Sequence, residues 1–170
     1  MLDPIFIIGQ IFGVIAIALG FLSYQMKTAG RILLLQALTG VVFAVHYCMI
    51  GAITGMAMNI VCFIRCIVYY FRNKRGSSEK ISPIIFTLIM AVIGIITWDA
   101  WYSVFVFSGI LINTLCMAFA NPQKVRASIL VTSPLVLIYD AFALSFGGMV
   151  YESVAIISAV IGILRNRKRV

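Results

Sequence analysis

Acidic residues are scarce in this chain. Of its 170 residues five are Asp or Glu, against 13 Lys and Arg, and there is one His. One His cannot build a zinc site without help. Cys48, Cys62, Cys66 and Cys116 form no CxxC pair and fall inside apolar runs, so they read as reduced, small core residues. There is no HExxH, no Ser/His/Asp set with plausible placement and no Gly-rich phosphate loop. An enzyme is therefore not expected, nor a metal or any other cofactor. Charge of either sign makes up 11% of residues, too little to coat a water-soluble domain.

What is present is hydrocarbon. Hydrophobic residues make up 63% of the chain and its mean hydropathy is +1.11. A soluble domain of this size could not hide so much apolar surface, so the expected class is an all-α, polytopic membrane protein. The first residues, Met1-Leu2-Asp3-Pro4, lack the cationic start of a cleavable signal, so the first apolar run reads as a retained helix. The net charge of +8 could point to nucleic acid, but the cations sit in short loops between apolar runs. That placement follows membrane topology.

A spanning helix needs about 20 apolar residues. Seven runs qualify, at 5–23, 31–50, 52–72, 82–98, 101–120, 128–146 and 148–164, the fourth being the shortest. Seven spans put loops 24–31, 72–82 and 121–127 and the tail 165–170 on one side. Of the Lys and Arg residues, all but Arg65 then share that side, among them Lys74, Lys80, Arg167, Lys168 and Arg169. The other side carries Asp3 and Asp99 and no cation. The positive-inside rule makes the basic side cytoplasmic, giving N-out and C-in. Trp98, Trp101 and Tyr102 flank the outer turn as expected of interfacial aromatics.

The chain makes one turn twice. Tyr24-Gln25 is followed by Lys27 and Arg31, and Pro122-Gln123 by Lys124 and Arg126, each pair ahead of a new apolar run. With a shift of 93, Gly55-Met56 falls on Gly148-Met149, Asn59 on Glu152, and Arg72-Asn73-Lys74 on Arg165-Asn166-Arg167. Helices 1–3 then correspond to helices 5–7, and helix 4 is an unpaired linker that restores the orientation. The expected organisation is 1–75 for the first triple-helix repeat, 76–100 for the linker with helix 4, and 101–170 for the second repeat and basic tail. Two parallel repeats about an axis along the membrane normal are a transporter plan, with the site near the midplane between them.

Charged residues inside a span cost roughly 2.5–3.5 kcal/mol on insertion scales, so each is a candidate for function. They are Arg65, Asp140 and Glu152, joined by the polar His46 and Asn59. The shift also makes Tyr47 equivalent to Asp140 and His46 equivalent to Tyr139. His46, Tyr47, Asn59, Tyr139, Asp140 and Glu152 are placed at similar depth, and the functional reading is a polar vestibule opening outward. The bland readings are a helix-start carboxylate for Glu152 and a hydrogen-bonded interhelical residue for His46. For Arg65 the alternatives are a stem snorkelling to headgroups or a counter-ion or gate for Asp140 or Glu152. Gly9-x-x-x-Gly13 and Gly51-x-x-x-Gly55 read as close helix contacts.

A 3+1+3 chain with a Gln turn after helices 1 and 5 resembles the SWEET and PQ-loop superfamily. Pro122-Gln123 has its PQ pair, where the first turn has Tyr24-Gln25. Leu137-Ile138-Tyr139-Asp140 resembles its Leu-Ile-Tyr-Gly, with Asp140 in place of Gly. Asn59 matches its pocket Asn in the third helix, whereas Glu152 stands at the equivalent place in the seventh. The run Ser145-Phe146-Gly147-Gly148-Met149-Val150-Tyr151-Glu152 and the short length look closer to the YgjV-like bacterial inner-membrane proteins. That resemblance implies multi-pass location in the bacterial inner membrane. The superfamily resemblance implies movement of a sugar or other small polar solute, with the titratable residues permitting proton coupling. The competing reading is a non-transporting structural or partner-binding subunit. The expected partners are the lipid bilayer and a small-molecule solute but not nucleic acid, with a homo-oligomer left open.

Overall fold

The computed structural model describes residues 4–76, 81–119 and 121–166. Asp3, Lys80, Arg167, Lys168 and Arg169 lie outside the described residues. The rest form seven helices, with no strand among the described residues: α1 (Pro4–Gln25), α2 (Ala29–Met49), α3 (Ile53–Lys74), α4 (Ile81–Ile96), α5 (Ser103–Met117), α6 (Pro122–Phe142) and α7 (Phe146–Asn166). Of these, α1, α2, α3, α6 and α7 are long and apolar enough to cross a membrane. The apolar helices α4 and α5 have 16 and 15 residues, short of the expected 82–98 and 101–120. The chain turns at Thr97–Tyr102, where Asp99 accepts from the hydroxyls of Thr54 (3.0 Å) and Ser103 and so holds the turn against α3.

The sixth helix departs from its expected range of 128–146. It starts six residues earlier because Asn121 caps it, accepting from the backbone N–H groups of Gln123 (2.9 Å) and Lys124 (3.3 Å), and Pro122 fits its first turn. The stretch expected as a cationic loop at 121–127 is thus mostly helix, and Arg126 lies inside the protein at 1% exposure.

Each helix packs on the next, α7 closes on α1, and α3 also touches α5, so the helices form a closed ring. Glycine permits the tightest approach. A Cβ on Gly13 would lie 2.7 Å from the Cα of Gly147, and one on Gly147 would lie 2.6 Å from the Cα of Gly13. Gly9 faces Met49 of α2, and Gly55 faces Tyr47 and Tyr139. Gly51 is not a helix contact, contrary to the sequence reading: nothing lies within 4 Å of its Cβ position, and its φ of +77° makes it a turn residue.

That turn has a counterpart 93 residues on. Leu144 is also left-handed, at φ 54°. Around Gly51, Ile50 N–H donates to the carbonyl of His46 and Ala52 N–H to that of Tyr47. Around Leu144, Ala143 N–H donates to Tyr139 and Ser145 N–H to Asp140, bond for bond at the same spacing. The outer face is apolar, with Ile11 and Val14 of α1 and Ile84, Leu88, Val92 and Ile95 of α4 all exposed. Such a surface suits lipid.

Candidate functional site

Within the ring lies a partly open cavity of about 90 Å³, walled by α1, α2, α3, α5, α6 and α7. Tyr24, Tyr47, Asn59, Arg65 and Glu152 all border it. The cavity therefore brings together Asn59 and Glu152, the expected pair. Asn59 Nδ2 donates to the carbonyl of Gly55 at 2.9 Å, one turn back on its own helix. The Ser133 hydroxyl is within hydrogen-bonding reach of the Glu152 carboxyl. The titratable or charged groups around Glu152 are Tyr24, Tyr47, Cys62, Arg65, Tyr151 and Asp140.

Tyr139, Asp140 and His46 do not border the cavity. Each is 0% exposed, and with Tyr47 they form a packed layer next to it. Tyr47 Oη donates to Asp140 Oδ1 at 2.6 Å, and Gly55 N–H donates to Tyr139 Oη at 3.0 Å. His46 is held on both sides: Nδ1 lies 2.7 Å from the carbonyl of Gly9, and Nε2 lies 2.7 Å from Ser145 Oγ. In place of the open vestibule expected at this end is a packed layer. Its aromatic rings touch, Tyr47 edge-on to Tyr139 and Phe43 stacked on Tyr47. Asp140 Oδ2 is buried with no hydrogen-bond partner.

Arg65 follows neither expected course. At 2% exposure its head does not reach the surface, and its hydrogen bonds go to α5 and to sulfur rather than to a carboxylate. Nη1 donates to the Thr114 hydroxyl, and Nη2 lies 3.3 Å from Asn113 Oδ1 and 3.3 Å from Met117 Sδ. Its Nε–H is buried without an acceptor. Asn113 passes the chain of polar contacts on to Ser128 Oγ at 3.5 Å.

A family model described as a bacterial inner membrane protein, Imp-YgjV, matches residues 7–170. The chain belongs to this family. It is thus a multi-pass protein of the bacterial inner membrane, in contact with lipid. Neither a curated protein nor a solved structure matches it.

In this Imp-YgjV family member the two Gln turns meet the same helix. Gln25 Nε2 donates to Ser158 Oγ (2.9 Å) and to the Ser158 carbonyl (3.1 Å), and Gln123 Nε2 donates to the carbonyl of Ile163 at 3.4 Å, all on α7. Pro122 serves as the first residue of α6. Between the turns sits Arg126. It donates from Nε to the Tyr24 carbonyl (2.9 Å), from Nη2 to the Met26 carbonyl (2.6 Å) and from Nη1 to Gln123 Oε1 (2.9 Å). The carbonyls at a helix C-terminus lack partners within the helix and carry its negative dipole end, so a guanidinium is well placed there.

The sequence reading missed Arg126, having taken it for a loop cation. It also passed over Asn113, Thr39 and Thr132, which border the cavity. A signal existed for two of these: Thr39 and Thr132 stand 93 residues apart, the spacing that singled out Asn59 and Glu152. Asn113 was legible as an amide inside an apolar run. Arg126 had no such signal, because its partners are backbone carbonyls 100 residues away.

Proposed function

We propose that the chain is a small-solute transporter or facilitator of the 3+1+3 type, with its solute site in the central cavity. The observation that carries this reading is a cavity lined by polar as well as apolar groups, inside an apolar bundle, with a side-chain layer towards each end. One layer is Tyr47–Asp140 with Tyr139 and His46; the other is Arg126 with the Gln25 and Gln123 turns. A cavity between two such layers suits a protein that opens to the two sides of the membrane in turn. The matching turns at Gly51 and Leu144, and the presence of Asn59 and Glu152 on one cavity wall set, support two parallel repeats with α4 as the linker. The proposed orientation is N-out and C-in, and the proposed coupling ion is the proton, exchanged at Glu152 or Asp140.

The second reading is a non-transporting structural or partner-binding protein. One observation favours it: about 90 Å³ is small beside the roughly 300–1,000 Å³ of an ordinary small-molecule site. Uptake into proteoliposomes from a panel of sugars, amino acids and weak acids separates the two. Saturable uptake of any member supports transport, and none above protein-free liposomes supports the second reading.

A further inference from the structure

Arg65 is a fixed positive charge with no carboxylate among the partners that the described residues give it. Its guanidinium keeps its proton in any protein setting. It lies 2% exposed within an apolar bundle, where an unbalanced charge is strongly disfavoured. Yet its acceptors are a hydroxyl, an amide oxygen and two sulfur atoms, all formally neutral. Its Nε–H is left with no acceptor at all. Such an orphan is rare in a native structure, and the charge of the guanidinium as a whole has no anion among the described residues to balance it.

The partner's shape follows from the cavity that Arg65 borders. At about 90 Å³ the cavity is well under the roughly 300–1,000 Å³ of an ordinary small-molecule site, so the occupant is small. The wall is mixed in character: Asn59, Arg65 and Asn113 are among its polar residues, and Phe43, Val106 and Ile129 among its apolar ones. A bare halide would leave the apolar residues unused, and a sugar ring is bulkier than a cavity of about 90 Å³ admits. A carboxylate on a short carbon chain meets both. We propose that the cavity binds a carboxylate-bearing solute of a few carbon atoms, its anionic end set against Arg65. Glu152 on the same wall set distinguishes two sources of that carboxylate: a simple organic acid, or a small amino acid whose ammonium group Glu152 would receive.

This inference rests on the transport reading for its biological sense but not for its test. The test measures binding to the purified full chain in detergent, by calorimetry and by thermal shift, for matched pairs of similar shape. Lactate and lactamide differ in charge alone, as do alanine and alaninamide at the carboxyl end; chloride and glycerol complete the set. The expected result is binding of lactate or alanine at least about tenfold tighter than of its amide, the size of one charge-assisted hydrogen bond. Lactate bound in preference to alanine assigns an organic acid, and the reverse assigns an amino acid. Arg65→Gln should abolish the preference for the acid over the amide, and Arg65→Lys should keep part of it. Because Arg65 also ties α3 to α5, either variant could unfold; the matched pairs on the unaltered protein decide the matter without them. Equal binding of acid and amide, binding of chloride as tight as that of lactate, or no binding of any carboxylate would overturn the inference. Glycerol uptake by proteoliposomes alongside any of those results would overturn it while leaving the transport reading standing. Carboxylate binding without uptake would do the opposite.

Discussion

Tyr47 Oη and Asp140 Oδ1 meet at 2.6 Å, although the residues are 93 positions apart on α2 and α6. That separation equals the shift of the proposed repeat, so on that proposal each residue bonds the one that occupies its own place in the other half. A contact between equivalent positions lies on the axis that would relate the halves. The pair is thereby placed to close the bundle or to part as the halves move, which gives the first prediction.

Tyr47→Phe removes the 2.6 Å hydrogen bond to Asp140 Oδ1, beside an Oδ2 that already has none. A buried acceptor stripped of its donor costs about 1–3 kcal/mol. The variant should unfold at lower temperature in detergent, and a cysteine introduced at Asn59 in a Cys-free background should react faster with an impermeant reagent. Unchanged melting and unchanged reactivity would show that the pair seals nothing.

Arg126→Gln should destabilise the α1–α2 turn. It deletes the guanidinium donors to Tyr24 and Met26, each bond of a charged donor being worth about 1.5–3 kcal/mol. Arg126→Lys should recover only part, because an ammonium lacks the planar fork that spans two carbonyls. Gly162→Ala provides an independent check: its Cβ would lie 2.7 Å from Arg126 Nε and 2.8 Å from the Tyr24 carbonyl. Hydrogen exchange across 24–29 should speed up in all three. A turn as protected in Arg126→Gln as in the unaltered protein would contradict the clamp.

Orientation is decided by labelling. Cysteine at Trp98, which is exposed on the α4–α5 turn, should react with impermeant reagent added outside cells. Cysteine at Lys74, on the last turn of α3, should react only after the membrane is opened. The reverse pattern sinks the N-out arrangement. Equal access for both positions from one side would mean that α4 does not cross.

Should uptake be driven by a pH gradient, Glu152→Gln is expected to abolish that drive while sparing exchange of solute across the membrane. An amide cannot carry a proton between the two sides. Asp140→Asn tests the other carboxyl in the same assay. Normal insertion with unchanged pH dependence in both variants would make both carboxyls structural.

Composition alone determined the setting. An apolar fraction of 63% with 11% charge cannot be hidden in a water-soluble fold, so membrane helices follow without any knowledge of contacts. The 93-residue shift likewise placed Asn59 and Glu152 together, and both border the cavity. Helix ends were read less well, because apolarity does not mark them. Pro122 begins α6 by virtue of Asn121's side-chain cap, and Leu144 ends the following turn with a positive φ in a residue that seldom adopts one.

Partners were beyond the sequence altogether. Whether Arg65 snorkels, pairs with a carboxylate or faces neutral groups depends on which helix stands opposite, and α5 stands there with Thr114 and Asn113. Arg126 and Lys124 look alike as two cations after a turn. One is buried against the end of α1, while the other is exposed with its ammonium 4.4 Å from the ring centre of Phe119. Only the closing of α7 on α1, which brings Gly162 and the last carbonyls of α1 to the same guanidinium, separates them. Local sequence sets how apolar a segment is and where its backbone can turn. Which charges end up buried is set by the neighbours that tertiary packing supplies.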